Sequence, residues 1–245
     1  VLADTSVNWP YTSSVDAGQA TLQGDAVTAN DNVLTYLQTI ESTEPGDVFV
    51  SKSGALTFYD RAHTFPSSSA PVFSDDNTGI TYSQVRVTYG SELLYTQAEF
   101  TRKGSSTVVQ ANDLTAQVNY GIRTLTGTGL LSNNDTDLGQ LATYMVGQYA
   151  APEYRFDQIE VVLSKLNTTD QNTVLGLDLG SICKVIFTPN SVGSAITKYA
   201  KVISIGHAAN LVEHRTTIGL GTLNSTGLML DDVAFGNLDS NALAW

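Results

Sequence analysis

Only two stretches of this chain repeat their apolar residues every three to four positions; nearly everything else is cut by turn residues into short β-branched or aromatic runs. That pattern restricts the fold to an α+β, mainly β architecture with few helices. Val33, Tyr36, Leu37 and Ile40 fall at i, i+3, i+4 and i+7 behind Asn30 and Asp31, either of which can cap, so a helix runs to about Ser42 and Pro45-Gly46 stops it. A second helix follows Asn134-Asp135, where Leu138, Leu141, Ala142, Met145 and Tyr149 keep one face apolar until Pro152.

Between these lie the strand signals. Val48/Val50 and Leu56/Phe58 alternate on either side of Lys52-Ser53-Gly54, the permissive backbone of a tight reversal, and predict a hairpin. Strands are expected near 83–89, 93–102 and 106–111, in "YGIRTLTGTGLL" (120–131), over 154–163, in "ICKVIF" after Gly180, and as a closing antiparallel pair over 196–206 and 212–220. Thr168-Thr169-Asp170 caps a short turn through Leu175. Residues 1–28 read as a strand fragment or extended arm, with Trp9-Pro10-Tyr11 the one bulky cluster. "HTFPSSSAPVFSDDNTG" (63–79) has no period and reads as a loop and the natural boundary.

The charge balance narrows the partners. Twelve basic against twenty-four acidic side chains leave a formal charge of −12, which opposes the counterion release behind most nucleic-acid binding. No run approaches the roughly 18 apolar residues of a membrane span, so neither nucleic-acid recognition nor membrane insertion is expected, and the chain reads as soluble. It begins with Val, and reads as a processed chain or as part of a longer polypeptide. Cys183 can form no disulfide within the chain and reads as a small buried hydrophobe. Only 15% of residues are charged while neutral polar residues abound, which suits a protein that works in an assembly and also many carbohydrate-binding domains.

Chemistry-bearing patterns are sparse. His63, His207 and His214 lack metal-ligand spacing, although His207 and His214 with Glu213 could converge across a hairpin. Phosphate loops and the nucleophile elbow are absent, so no cofactor is expected. Glu153 with Asp157, or Asp231 with Asp232, could form the carboxylate pair of a glycosidase, but caps and turns explain all four. The acids of "SDDNTG" read as turn residues. Near the C-terminus, Leu228, Leu230, Val233, Phe235, Leu238, Leu243 and Trp245 are too many apolar groups to leave in water, and are expected to dock either on their own domain or on a neighbouring subunit. They are the candidate interface residues; no catalytic, cofactor or metal residue is proposed.

"GDVFVSKSGALTFYDR" (46–61), "YGIRTL" (120–125), the helix before "PEYRFDQIEVVL" (152–163), "LDLGS" (177–181) and "LDDVAFGNLDSNALAW" (230–245) stand in an order that resembles minor tail proteins, or baseplate hub proteins, of long-tailed bacteriophages. The resemblance implies a helix-plus-hairpin α/β subdomain over 1–81. Over 82–245 it implies a tail-tube-like antiparallel β-barrel hub module with one inserted amphipathic helix and a C-terminal docking segment. It further implies a non-enzymatic ring at the tail tip, below the tail tube, lining the DNA channel. Such a ring is usually a trimer, with a hexamer possible; its partners are other tail proteins and its location the virion, after assembly in the host cytoplasm. Ser181 stands where such proteins commonly carry an acid, and the sequence in hand reads as lacking the N-terminal module that the resemblance to a hub implies. Two other readings remain open: a carbohydrate-binding or cell-wall-degrading module, which needs exposed aromatic platforms from residues such as Tyr89 and Tyr95, and a distal tail protein.

Overall fold

The computed structural model describes residues 12–24, 32–61, 63, 69–189 and 193–223. In chain order the first elements are β1 (Ser13–Val15), α1 (Val33–Thr43), β2 (Asp47–Val50), β3 (Leu56–Tyr59), β4 (Val72–Ser74), β5 (Ile80–Thr81) and β6 (Gln84–Tyr89). Then come β7 (Gln97–Arg102), β8 (Val109–Asn112), α2 (Leu114–Tyr120), β9 (Thr124–Leu130) and α3 (Asp135–Tyr149). The last are β10 (Tyr154–Val162), α4 (Thr168–Gly176), β11 (Ile182–Phe187), β12 (Ile196–Ala209) and β13 (His214–Thr222). The mainly β, α+β expectation is met.

Contacts divide the chain into two units, one of Val1–His63 with Tyr89–Glu153 and the other of Thr64–Thr88 with Tyr154–Trp245. This division differs from a single cut at 81/82, because residues 69–88 supply strands to a sheet whose other members begin at Tyr154. The stretch 63–79, expected to be loop, therefore carries β4, and β5 follows it directly. Both are too short to show a period, and the strand that β4 pairs with besides β5, β11, is remote in sequence.

The first unit holds two three-stranded sheets, ordered β1-β3-β2 and β8-β7-β9. In the first, the hairpin pairs Val48 with Phe58 and Val50 with Leu56, and β1 runs parallel to β3. Gly54 takes φ 84° in the reversal, where a side chain would be strained. Gly46 is needed for another reason: a Cβ there would lie 2.3 Å from the Tyr59 carbonyl oxygen. The cap of α1 is Asn32, whose Oδ1 accepts from the Leu34 N–H at 2.9 Å.

Ala98 and Phe100 of β7 meet Leu138, Leu141, Ala142 and Val146 of α3 in one core. Asn134 caps α3 through the Asp137 N–H, and Asp135 and Asp137 occupy the first turn, where the helix dipole favours acids. Arg102 reaches Asp135 Oδ1 at 2.7 Å and ties β7 to that turn.

The second unit is a seven-stranded sheet in the order β5-β4-β11-β12-β13-β10-β6. Its two end strands, β5 and β6, are separated in the chain only by Tyr82 and Ser83. A sheet whose opposite ends belong to one short stretch of chain must curl back on itself, and this one forms a curled half-barrel. Antiparallel pairing links β11, β12, β13 and β10, while β4 lies parallel to both β11 and β5. The interior is filled by Phe73, Ile159, Val161, Cys183, Val185, Val202 and Ile218, all fully buried. Each such aliphatic or aromatic side chain contributes about 1.5–3 kcal/mol relative to exposure.

Within the β12–β13 pair the register shifts between Val202 and Ser204, leaving Ile203 as an extra residue. Glycine makes room for it: a Cβ on Gly219 would lie 2.2 Å from Ser204 Oγ, and one on Gly221 would lie 2.8 Å from Ile203 Cγ2. Past this bulge the two strands continue as a ribbon to the reversal at Leu211-Val212, with β10 paired on the far side of β13 as far as Arg215.

Candidate functional site

The concave feature of the first unit is a groove of about 670 Å³ lined by Val15, Leu22, Leu37, Ile40, Phe58 and Glu44, among others. Glu44 follows α1 directly, and its carboxylate is taken into the interior, 2% exposed. Its Oε2 accepts from the Ala20 N–H at 2.6 Å, and its Oε1 lies 3.5 Å from Arg61 Nε. The Arg61 guanidinium lies over the Tyr144 ring, 5.3 Å from its centroid. Thus the two ends of the segment Glu44–Arg61 are tied together through a buried ion pair. Asp16, also on the groove, accepts from the Asp60 N–H at 3.1 Å and lies 2.6 Å from Nδ1 of His63, whose ring stacks on Tyr59. Both carboxylates are engaged in holding backbone N–H groups and the side chains of Arg61 and His63, an arrangement that fixes a loop and offers no nucleophile–base pair.

The histidines of the ribbon do meet, as their sequence positions allowed: His207 Nδ1 lies 3.2 Å from His214 Nε2 and 3.1 Å from Thr216 Oγ1. Glu213 turns away, engaging Arg215, which also reaches Glu160; these acids raise the arginine's affinity for its proton. Among the described residues no three His, Cys, Asp or Glu side chains gather as a metal site. Cys183 sits fully buried in β11, and burial pushes its thiol up to about 12, far from the thiolate that nucleophilic chemistry needs.

Glu153 closes the first unit and Asp157 belongs to the second, where it accepts from Thr88 Oγ1 and lies 3.6 Å from Arg86. Asp76 accepts from both the N–H and the hydroxyl of Thr78, a local turn that holds its carboxyl below the ordinary value. Asp75 accepts from the Thr188 N–H at 2.6 Å. The Tyr82 hydroxyl donates to the Ile186 carbonyl, and burial, then Asp75 and Asp76, raise its pKa. Asp231 and Asp232 lie outside the described residues, as do all the interface candidates: Leu228, Leu230, Val233, Phe235, Leu238, Leu243 and Trp245.

Exposed apolar surface appears where the sequence reading did not look. On and just after α2, Leu114, Val118 and Ile122 are 72%, 85% and 69% exposed. Their spacing at i, i+4 and i+8, with Asp113 as cap and Gly121 at φ 77°, was the available signal for a helix that falls between the expected strands 106–111 and 120–131 and was not anticipated. At the ribbon tip Leu211 and Val212 are almost wholly in solvent. Tyr89 is 59% exposed, while Tyr95 packs edge-on against Tyr149.

No family profile matches the chain, and no curated protein does. Solved structures do. The 43 kDa tail protein of prophage MuSo2 from Shewanella oneidensis superimposes with a TM-score of 0.55 at 11% identity, over 87% of this chain and 59% of that one. The tail protein from Neisseria meningitidis MC58 gives a TM-score of 0.55 at 12% identity, over 89% of this chain and 63% of that one. This chain spans about three-fifths of the length of each, and over that span it has the fold of these prophage-type tail proteins.

Proposed function

We propose that the chain is a non-enzymatic structural component of a bacteriophage tail, a hub or minor tail protein that forms a ring at the tail tip and lines the DNA channel. The observation that carries this reading is the fold shared over 87% and 89% of the chain with two prophage-type tail proteins. Two further features support it. Apolar side chains stand in solvent on α2 and at the ribbon tip, as expected of surfaces covered in an assembly. A formal charge of −12 suits a wall past which DNA slides, because a surface that repels phosphate does not retain it. A trimer is the assembly proposed, in contact with other tail proteins within the virion.

Native mass measurement of the purified chain tests the proposal. A trimeric ring is the expected result; a hexamer redirects it to a distal tail protein. A monomer that binds or cleaves a cell-wall glycan, with loss on changing Glu153 or Tyr89, overturns it in favour of a carbohydrate-active module.

A further inference from the structure

The ribbon formed by the outer halves of β12 and β13 carries, on its β12 side, a sheet edge that is open among the described residues. On one side of β12, pairing with β11 ends at Ile182↔Lys201, extended by the Val202 N–H to the Ser181 carbonyl at 2.8 Å. Beyond that, β12 runs on to Ala209 with β13 as its only strand neighbour among the described residues.

Which backbone groups face outward follows from the reversal. The Asn210 N–H donates to the Glu213 carbonyl at 2.9 Å, so residues 210 and 213 form a hydrogen-bonded pair across Leu211-Val212. Counting back by twos, Ala208, Gly206 and Ser204 direct their N–H and C=O groups to β13. Ile205, His207 and Ala209 direct theirs to the open side. The bulge at Ile203 preserves this reading, since Val202 faces β11 and one extra residue moves the next outward position to 205.

Sheet edges left open in this way are templates for another strand, and proteins that must stay apart guard them with charge or proline. Here, from Ile203 to Val212, there is no Asp, Glu, Lys, Arg or Pro. Ser204, Gly206, Ala208 and Ala209 are small, so an incoming backbone meets little obstruction.

We infer that this edge takes up a β-strand from a second copy of the same chain, through the outward N–H and C=O groups of Ile205, His207 and Ala209. Two observations select a second copy. Copies that each carry a formal charge of −12 repel, and this uncharged segment is where they meet with least repulsion. A ring also needs two different, complementary edges on each subunit, and the same sheet ends in one: β6, whose only strand neighbour among the described residues is β10. The inference deepens the ring reading and rests on it.

The test is amide hydrogen exchange on the full chain, comparing the assembled form with dilute monomer, together with native mass measurement of Ala209→Pro. Proline at 209 removes an outward donor and leaves the ribbon's own ladder intact. Expected are at least tenfold slower exchange at Ile205, His207 and Ala209 on assembly, and at least tenfold weaker assembly of the variant. A ring that forms with these three amides exchanging as in the monomer overturns this inference alone. A chain that stays monomeric at every concentration overturns it together with the ring reading.

Discussion

Replacing Phe73 with alanine tests the most surprising part of this architecture, the recruitment of a Ser- and Pro-rich stretch into the core of the curled sheet. Phe73 is fully buried at the middle of a three-residue strand, paired with Val185 on one side and Ile80 on the other. Truncating a buried Phe to Ala costs about 3–5 kcal/mol, from lost transfer energy and the cavity left behind. The cavity here has few means of collapse, because Val185, Ile159, Val161 and Val202 around it are held by strands paired on both sides. We therefore expect the upper part of that range. At roughly 2–8 °C per kcal/mol for domains of this size, the melting transition of the second unit falls by at least about 10 °C. The assay is thermal and urea unfolding by circular dichroism, with Val108→Ala as the control; Val108 is 58% exposed, so its truncation stays within about 0.5 kcal/mol. A loss under about 1 kcal/mol for Phe73→Ala would refute the placement of β4 and favour the loop expected over 63–79.

Thr43 is 1% exposed, and its hydroxyl accepts from the Leu131 N–H at 2.9 Å while donating to the Thr39 carbonyl. Thr43→Val leaves that buried N–H without a partner, and a loss of about 1–3 kcal/mol in urea unfolding is expected, with Thr43→Ser restoring most of it. Gly46→Ala forces a methyl group against the Tyr59 carbonyl and the Phe58 ring, so chemical shifts of the hairpin amides move and stability drops; an unchanged spectrum would contradict the close approach. Native Cys183 resists a maleimide at neutral pH and reacts at the rate of a free thiol in denaturant. Its raised pKa stabilises the fold fully below the ordinary value of 9.0, and that contribution is lost as pH rises towards about 12, which an alkaline unfolding series with Cys183→Ala as reference measures.

Local chemistry made much of this protein legible in its sequence. Asn134 with Asp135 and Asp137 announces α3, Gly54 announces the hairpin reversal, and both signals work because capping and φ > 0 are properties of single residues. α1 begins at Val33 with Asn32 as its cap, one residue beyond the caps expected, since Asn30, Asp31 and Asn32 offer the same acceptor. The meeting of His207 and His214 was legible too, because a short antiparallel reversal brings close residues that are near in sequence.

What the residues by themselves determined was the fold class of an α+β, mainly β, acidic chain and most of its elements, α2 and β4 excepted, since capping, periodicity and charge act over a few positions. Only the tertiary structure decided that β4, β5 and β6 leave their sequence neighbours to join strands that begin at Tyr154, and that Glu44 and Arg61 become a buried pair. It alone decided as well that β12 outruns β11 and presents a bare edge. These are consequences of pairing between distant segments, chosen by the burial of Phe73, Val185 and Ile218 together, and no local pattern carries that information.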